Sequence, residues 1–478
     1  MSRVHRLVRP LYLSAIATAS CCAAPVDLAL HTLGSILRNS VLYVGVGWFF
    51  GFCFATGDLF TGLPPSQQSY AAFSAAVVSW FWGVFSVFMI VIMSAKLLRE
   101  QFIGCSSNQI AARGPTVSLA RNMTLLQCIR KLAVPMIPHL VLAGFCAVGG
   151  DFLVYSTMPP NWSKFKPILY IGFFWGFYSM VIADIYARRI FQTETVDEHP
   201  HSKPFWTPTP RRILQVYRKN LPVIVFVLIA IVYVHALSQF IHLTGKWGMF
   251  ACACASIALK LSLQELAKHI MMSVRRPVSR RVMVALISTP TILVDTQVRM
   301  LLLRQDNLNV SVAGTILLAI FEIVVRALKS VVVQRKTRRP MTARQRSRRR
   351  SCESPAEYKA RRDVEERRRK LRVLHAGEIY AEMYAEYIAI GCSYAILFFY
   401  RDHAQFEFRV LSDHNKQLTS LGILQLSVEV VVDFLSCVLE ASEGVEFKSF
   451  NQNDPFLIFF LAMLTFSNIA ISAGMYLR

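Results

Sequence analysis

Ionisable residues interrupt several of the apolar segments in the second half of this chain, and they recur at helical spacing. Asp295 and Arg299 lie four residues apart, as do Glu322 and Arg326, and so do Glu429 and Asp433. Residues i and i+4 share a helix face, so each of the first two pairs can neutralise itself. Two carboxylates on one face instead require a partner or a proton. Glu378, Glu382 and Glu386 repeat the interval beside Tyr380, Tyr384 and Tyr387. The first two glutamates suit the headgroup zone, where tyrosine is enriched. Glu386, one turn deeper, suits Arg299 or Lys260 as a partner. Charges inside hydrocarbon-length apolar runs are costly and turn toward a bundle interior. Asp295, Arg299, Glu322, Arg326, Glu386, Glu429 and Asp433 are therefore the candidate intramembrane polar path. The strings ILLAIFEIVVR (316–326) and ILQLSVEVVVD (423–433) align on a shared Glu and place opposite charges four residues on. An Arg326–Asp433 contact across a pseudo-repeat follows as a hypothesis, although eleven residues of ordinary membrane composition match easily by chance.

The elements that must position these groups are membrane spans. Of 478 residues, 54% are hydrophobic and 17% charged, against about a quarter charged in soluble proteins. Apolar stretches of span length recur at 39–58, 70–94, 132–155, 167–187, 221–243, 248–267, 282–303, 309–331, 377–400, 418–439 and 455–476. Only a helix satisfies its own backbone in hydrocarbon, or else a closed barrel, whose strands alternate. The expected fold is an all-α polytopic transmembrane bundle of about eleven spans, with ten to twelve as the range. The loops alternate in charge: one set, including the N-terminus, holds 40 Lys and Arg and the other set 8. The basic set belongs in the cytoplasm, which puts the N-terminus inside and the protein in the plasma membrane or an endomembrane. Residues 3–24 have the outline of a signal peptide, but cleavage there would invert every loop, so residues 1–38 read as a cytoplasmic or interfacial segment. Spans one to eight occupy 39–333, a basic cytoplasmic loop 334–376, and spans nine to eleven 377–478.

That loop carries about half of the formal net charge of +23, with 17 basic and five acidic residues between 335 and 372. Topology explains most of the rest, so nucleic acid is not an implied partner. The first half of the loop is too polar to fold alone and is expected to lie against anionic headgroups. Ser347 and Ser351 follow Arg runs and are candidate phosphosites, where added charge would weaken that attachment. Ser354-Pro355-Ala356-Glu357 is a capping box, which predicts a helix from Pro355 running into the ninth span. The sequons at Asn161 and Asn309 fall on the outer face and are candidate glycosylation sites.

No P-loop, zincin, nucleophile-elbow or metal-binding cysteine pattern occurs, so the sequence points away from an enzyme and implies no cofactor or metal. Cys53, Cys146, Cys252, Cys254, Cys392 and Cys437 read as buried, reduced apolar residues. His139, His235 and His242 read as hydrogen-bonded structural groups. The strings TPTILVDTQVRMLLLR (289–304) and GEIYAEMYAEYIAIGCSYAILFFYRDH (377–403) resemble segments of uncharacterised multi-pass membrane proteins of oomycetes, over roughly residues 260–440. That resemblance implies membership of a membrane-protein group and no activity. Two functions stay open. One is a transporter or channel for a small ion or solute through spans seven to ten. The other is a receptor or scaffold that the same charges lock together, with the basic loop as its contact. A wet cavity at Glu386, Glu429 and Asp433 would favour the first, and dry, fully paired charges the second.

Overall fold

The computed structural model describes residues 4–59, 61–97, 124–157, 166–195, 210–240, 246–273, 280–303, 308–337, 355–406, 415–442 and 454–477. These residues form eleven long helices: α1 Val4–Thr56, α2 Tyr70–Leu97, α3 Leu125–Thr157, α4 Pro167–Thr195, α5 Pro210–Phe240, α6 Lys246–Ser273, α7 Arg280–Leu303, α8 Leu308–Thr337, α9 Pro355–Tyr400, α10 Asn415–Ser442 and α11 Pro455–Gly474. Each contains one of the expected apolar segments, or all but its last few residues. The fold is an all-α bundle with no strand among the described residues. Among the described residues nine of the helices are long and apolar enough to cross a membrane, which makes this a multi-pass membrane protein. The other two, α6 and α8, have span length and carry Lys260, Glu265 and Lys268, and Glu322, Arg326 and Lys329. Their polarity has a structural reason, because all but Glu265 turn inward to meet charges on other helices.

Burial runs opposite to the order of a soluble protein. The strongly apolar α2 and α3 leave most of their surface outside the bundle, whereas the more polar α7 and α9 are enclosed almost all round. Lipid tails solvate leucine and phenylalanine as well as a protein core does, so the hydrophobic effect does not draw such helices inward. Phe145, Phe152, Phe174 and Phe398 accordingly project outward. Polar groups gain by leaving lipid, and they collect where α7 and α9 pack together.

Close packing at the centre depends on small residues. Gly391 of α9 lies against Val44 of α1, where an added Cβ would stand 2.4 Å from a Val44 methyl, and Trp48 Nε1 donates to the Gly391 carbonyl at 3.0 Å. Pro290 deprives the central α7 of one backbone donor; the adjacent Thr289 and Thr291 hydroxyls donate to the carbonyls of Ala285 and Ile287 at 2.7 Å. At one end of the bundle Gln68 Nε2 reaches the carbonyls of Thr56, Asp58 and Leu63. There Tyr400 donates to Gly51 and His403 to Ala55, which ties the α1–α2 connection to the end of α9.

Two helices extend well beyond the apolar segments that mark them. α1 runs back from its apolar segment to Val4 without a break. The helix signalled by the capping box is α9, whose 46 residues run from Pro355 through the bundle, about 70 Å at 1.5 Å per residue.

Candidate functional site

Asp295 and Arg299 of α7 each find a partner on another helix. Lys260 of α6 reaches Asp295 of α7 at 2.9 Å, Glu322 of α8 at 3.5 Å and Glu386 of α9 at 3.6 Å. Arg299 pairs with Glu429 of α10 at 3.1 Å. The self-neutralising pairs expected from spacing are thus secondary, since Glu322 and Arg326 stand 3.8 Å apart and Asp295 turns to Lys260. A helix-surface pair spans one turn, but five packed helices bring better partners within reach.

Arg326 is the hub. One terminal nitrogen donates to Asp433 and the other to Glu386, both at 2.5 Å, with Glu382 at 3.7 Å. The Arg326–Asp433 contact inferred from the pseudo-repeat is present. All seven residues of the sequence-derived path, Asp295, Arg299, Glu322, Arg326, Glu386, Glu429 and Asp433, belong to this one network.

The network continues beyond those seven. Lys329 of α8 bonds Glu382 at 2.7 Å, Glu378 at 3.1 Å and Gln264 at 2.8 Å. Lys268 pairs with Glu378 at 3.0 Å, and His375 Nδ1 lies 3.5 Å from the same carboxylate. Glu378 and Glu382, assigned by the sequence to headgroup depth, are buried side chains paired inside the bundle. The tyrosines beside them are buried as well. Tyr380, Tyr384 and Tyr387 are at most 4% exposed.

Two features bear on chemistry. The first is a charge surplus. Among the described residues, Asp295, Glu322, Glu378, Glu382, Glu386, Glu429, Asp433 and Glu440 contribute eight carboxylates, against the five side-chain cations Lys260, Lys268, Arg299, Arg326 and Lys329. Charging His375 as well would still leave two in excess. One oxygen each of Glu429, Asp433 and Glu440 lacks a hydrogen-bond partner among the described residues. Carboxylate oxygens of Glu322, Glu386 and Glu429 lie within 4.8 Å of one another, close enough to share a proton or hold a small cation.

The second feature is reach. Gln425, Glu429, Asp433, Ser436 and Glu440 form a buried stripe along α10, and fifteen residues of helix rise about 22 Å, most of a hydrocarbon core of about 30 Å. Gln425 leaves its amide oxygen and nitrogen without partners among the described residues, as does Gln297 of α7. Beside the stripe is a cavity of about 50 Å³, lined by Lys260, Asp295, Arg299, Glu322, Arg326 and Glu382 among others. That volume admits a few waters. Glu386, Glu429 and Asp433 do not line it, so the charges are neither all in a wet cavity nor all dry and paired.

Other polar groups are structural. His139 bonds Tyr178 and Tyr186, and His235 bonds Tyr170, while His242 lies outside the described residues. Cys53, Cys392 and Cys437 are buried and in no disulfide; Cys146 and Cys252 are half-buried and Cys254 is exposed, because an outward thiol is tolerated in lipid. Asp184 of α4 is held by Lys96 at 2.7 Å and Arg188 at 2.8 Å. Asp184 and Asp151 were not singled out by sequence reasoning, although both are acidic residues inside apolar runs, the same signal that marked Asp295. Asn309 falls in the first turn of α8. Asn161, Ser347 and Ser351 lie outside the described residues. Comparison with protein families, curated proteins and solved structures gives no match.

Proposed function

We propose that this membrane protein is a transporter or channel that moves a small cation, the proton foremost, through the polar network of α6 to α10. The observation that carries the reading is the surplus, among the described residues, of eight carboxylates, six of them buried, over five cations. An uncompensated charge in low dielectric is held at a cost of several kcal/mol, so the surplus requires bound protons or a bound cation. A bundle locked only by ion pairs would gain more from an equal count of each sign. The unpartnered oxygens on α10 and the length of its stripe supply sites in series, which conduction needs. On this reading the N-terminus and the basic segment 334–376 face the cytoplasm, the latter against anionic headgroups.

The test is flux in liposomes containing the purified protein and an internal pH dye, under imposed proton, sodium and potassium gradients. Wild type is expected to dissipate the proton gradient faster than empty liposomes, and Glu429→Gln and Asp433→Asn to slow that by at least tenfold while still folding. Absence of flux under every gradient would remove transport and leave the scaffold reading.

A further inference from the structure

The bundle contains a second, larger cavity, which meets α7 at Thr289, Ile292 and Leu293. Its volume is about 710 Å³, and it lies between α2, α3, α4, α5, α7 and α11. Ligand sites for drug-sized molecules span about 300–1,000 Å³. The walls are mainly apolar, with Phe81, Phe85, Phe173 and Phe177 contributing aromatic surface. On the far wall Asn468 donates to Thr296 at 2.7 Å and accepts from Ser472 at 3.2 Å, while the uncharged Ser467 hydroxyl has no partner among the described residues.

Asp151 of α3 brings a charge to these walls. It lines the cavity, is 4% exposed, and is the only acidic side chain among the described lining residues. Its described partner is the Ser74 hydroxyl, 3.2 Å and 3.4 Å from its two oxygens. One hydroxyl has one hydrogen, so it serves one oxygen at a time and supplies no charge. Lys166, the one basic residue among the described lining residues, gives its ammonium to the Leu477 carbonyl, and no ion pair joins it to Asp151 among the described contacts. A buried carboxylate in apolar surroundings is costly without a counter-charge, and this one faces open space wide enough to admit a ligand. Aromatic faces around that space also attract cations.

We propose that this cavity is a binding site for a lipophilic organic cation, an onium or ammonium centre on an apolar body, with Asp151 as its counter-ion. The charge on Asp151 excludes lipophilic anions, and the apolar walls exclude small hydrated cations, which would lose their water without replacement ligands. Binding here does not depend on the network of α6 to α10 carrying flux.

Tetraphenylphosphonium and tetraphenylborate are matched in shape and opposite in charge, and they are the probes. Equilibrium dialysis against the protein in nanodiscs, corrected with empty nanodiscs, measures saturable binding of each. The phosphonium is expected to bind saturably and the borate not, with Asp151→Asn weakening the phosphonium at least tenfold. Gly172 lines the cavity and has open space where a side chain would begin. Gly172→Phe should fill the site and abolish binding without touching Asp151, so it serves should Asp151→Asn fail to fold. Equal binding of both probes, no saturable binding of the phosphonium, or unchanged binding in the folded variants would each overturn the proposal.

Discussion

Replacing Arg326 with Gln should be the most damaging single change in the network, and replacing Asp433 with Asn should partly repair it. Arg326 is 4% exposed and Asp433 0%, and their 2.5 Å contact is matched by the one to Glu386. At an effective dielectric of about 20, a contact of that length is worth about 7 kcal/mol gross. Desolvation of both ions offsets much of it, and losing one partner of a buried pair costs about 3–5 kcal/mol net. Arg326→Gln raises the carboxylate surplus from three to four, Asp433→Asn lowers it to two, and the double variant restores three. The double should therefore be at least about 1–2 kcal/mol more stable than the sum of the singles, within the range of contacting residues. Unfolding of the four proteins in one detergent, followed by circular dichroism, completes the cycle. Additivity within about 0.5 kcal/mol would show that the two charges do not sense each other, and the hub assignment would fall.

Other consequences follow from single contacts. Gly391→Ala should cost about 1–3 kcal/mol by overpacking, and Val44→Ala should recover most of it; a neutral Gly391→Ala would place α1 and α9 farther apart than described, as read in the same unfolding assay. Asp184→Ala removes the carboxylate that Lys96 and Arg188 share and should cost about 3 kcal/mol while leaving ion flux unchanged in the folded fraction, whereas equal losses of flux in Asp184→Ala and Glu429→Gln would deny the network any special role. His403, beyond the end of α9, donates from Nε2 to Ala55 and accepts at Nδ1 from the Gln405 amide, an arrangement only the neutral ring can make. Burial holds its pKa below the ordinary 6.5, so the unfolded chain binds the proton first and stability should fall as pH drops through 6.5. A His403→Gln variant should flatten that part of the melting-temperature profile between pH 7.5 and 5.5, and an unchanged slope would exclude His403 as its source.

The sequence reveals this architecture because membrane spans are long, apolar and separated by charged turns, a pattern visible without tertiary information. It also reveals which residues form the network, since Asp295, Glu322, Glu429 and their i+4 neighbours break apolar runs. Partner choice is less legible. Spacing along one helix pairs Asp295 with Arg299, but packing gives Asp295 to Lys260 and Arg299 to Glu429. The pseudo-repeat anticipated one pairing between helices, Arg326 with Asp433, and the depth of Glu386 another, with Lys260. Lys329, Lys268 and Glu440 lie near segment ends, where a charge reads as a solvated flank, and only the packing of α9 against its neighbours shows them buried. Asp151 carried the same signal as Asp295, but it stands alone. A lone acid has no spacing pattern, and the cavity it faces is formed by six helices.

The network is held to carry its surplus carboxylates as exchangeable protons, and infrared spectroscopy of the protein in lipid at neutral pH reads this directly. A protonated-carboxyl carbonyl band should be present, should shift on deuteration, and should shrink in the folded Glu429→Gln or Glu440→Gln variant. A spectrum with no protonated carboxyl at neutral pH, in protein free of bound metal and alkali cations, would contradict the account.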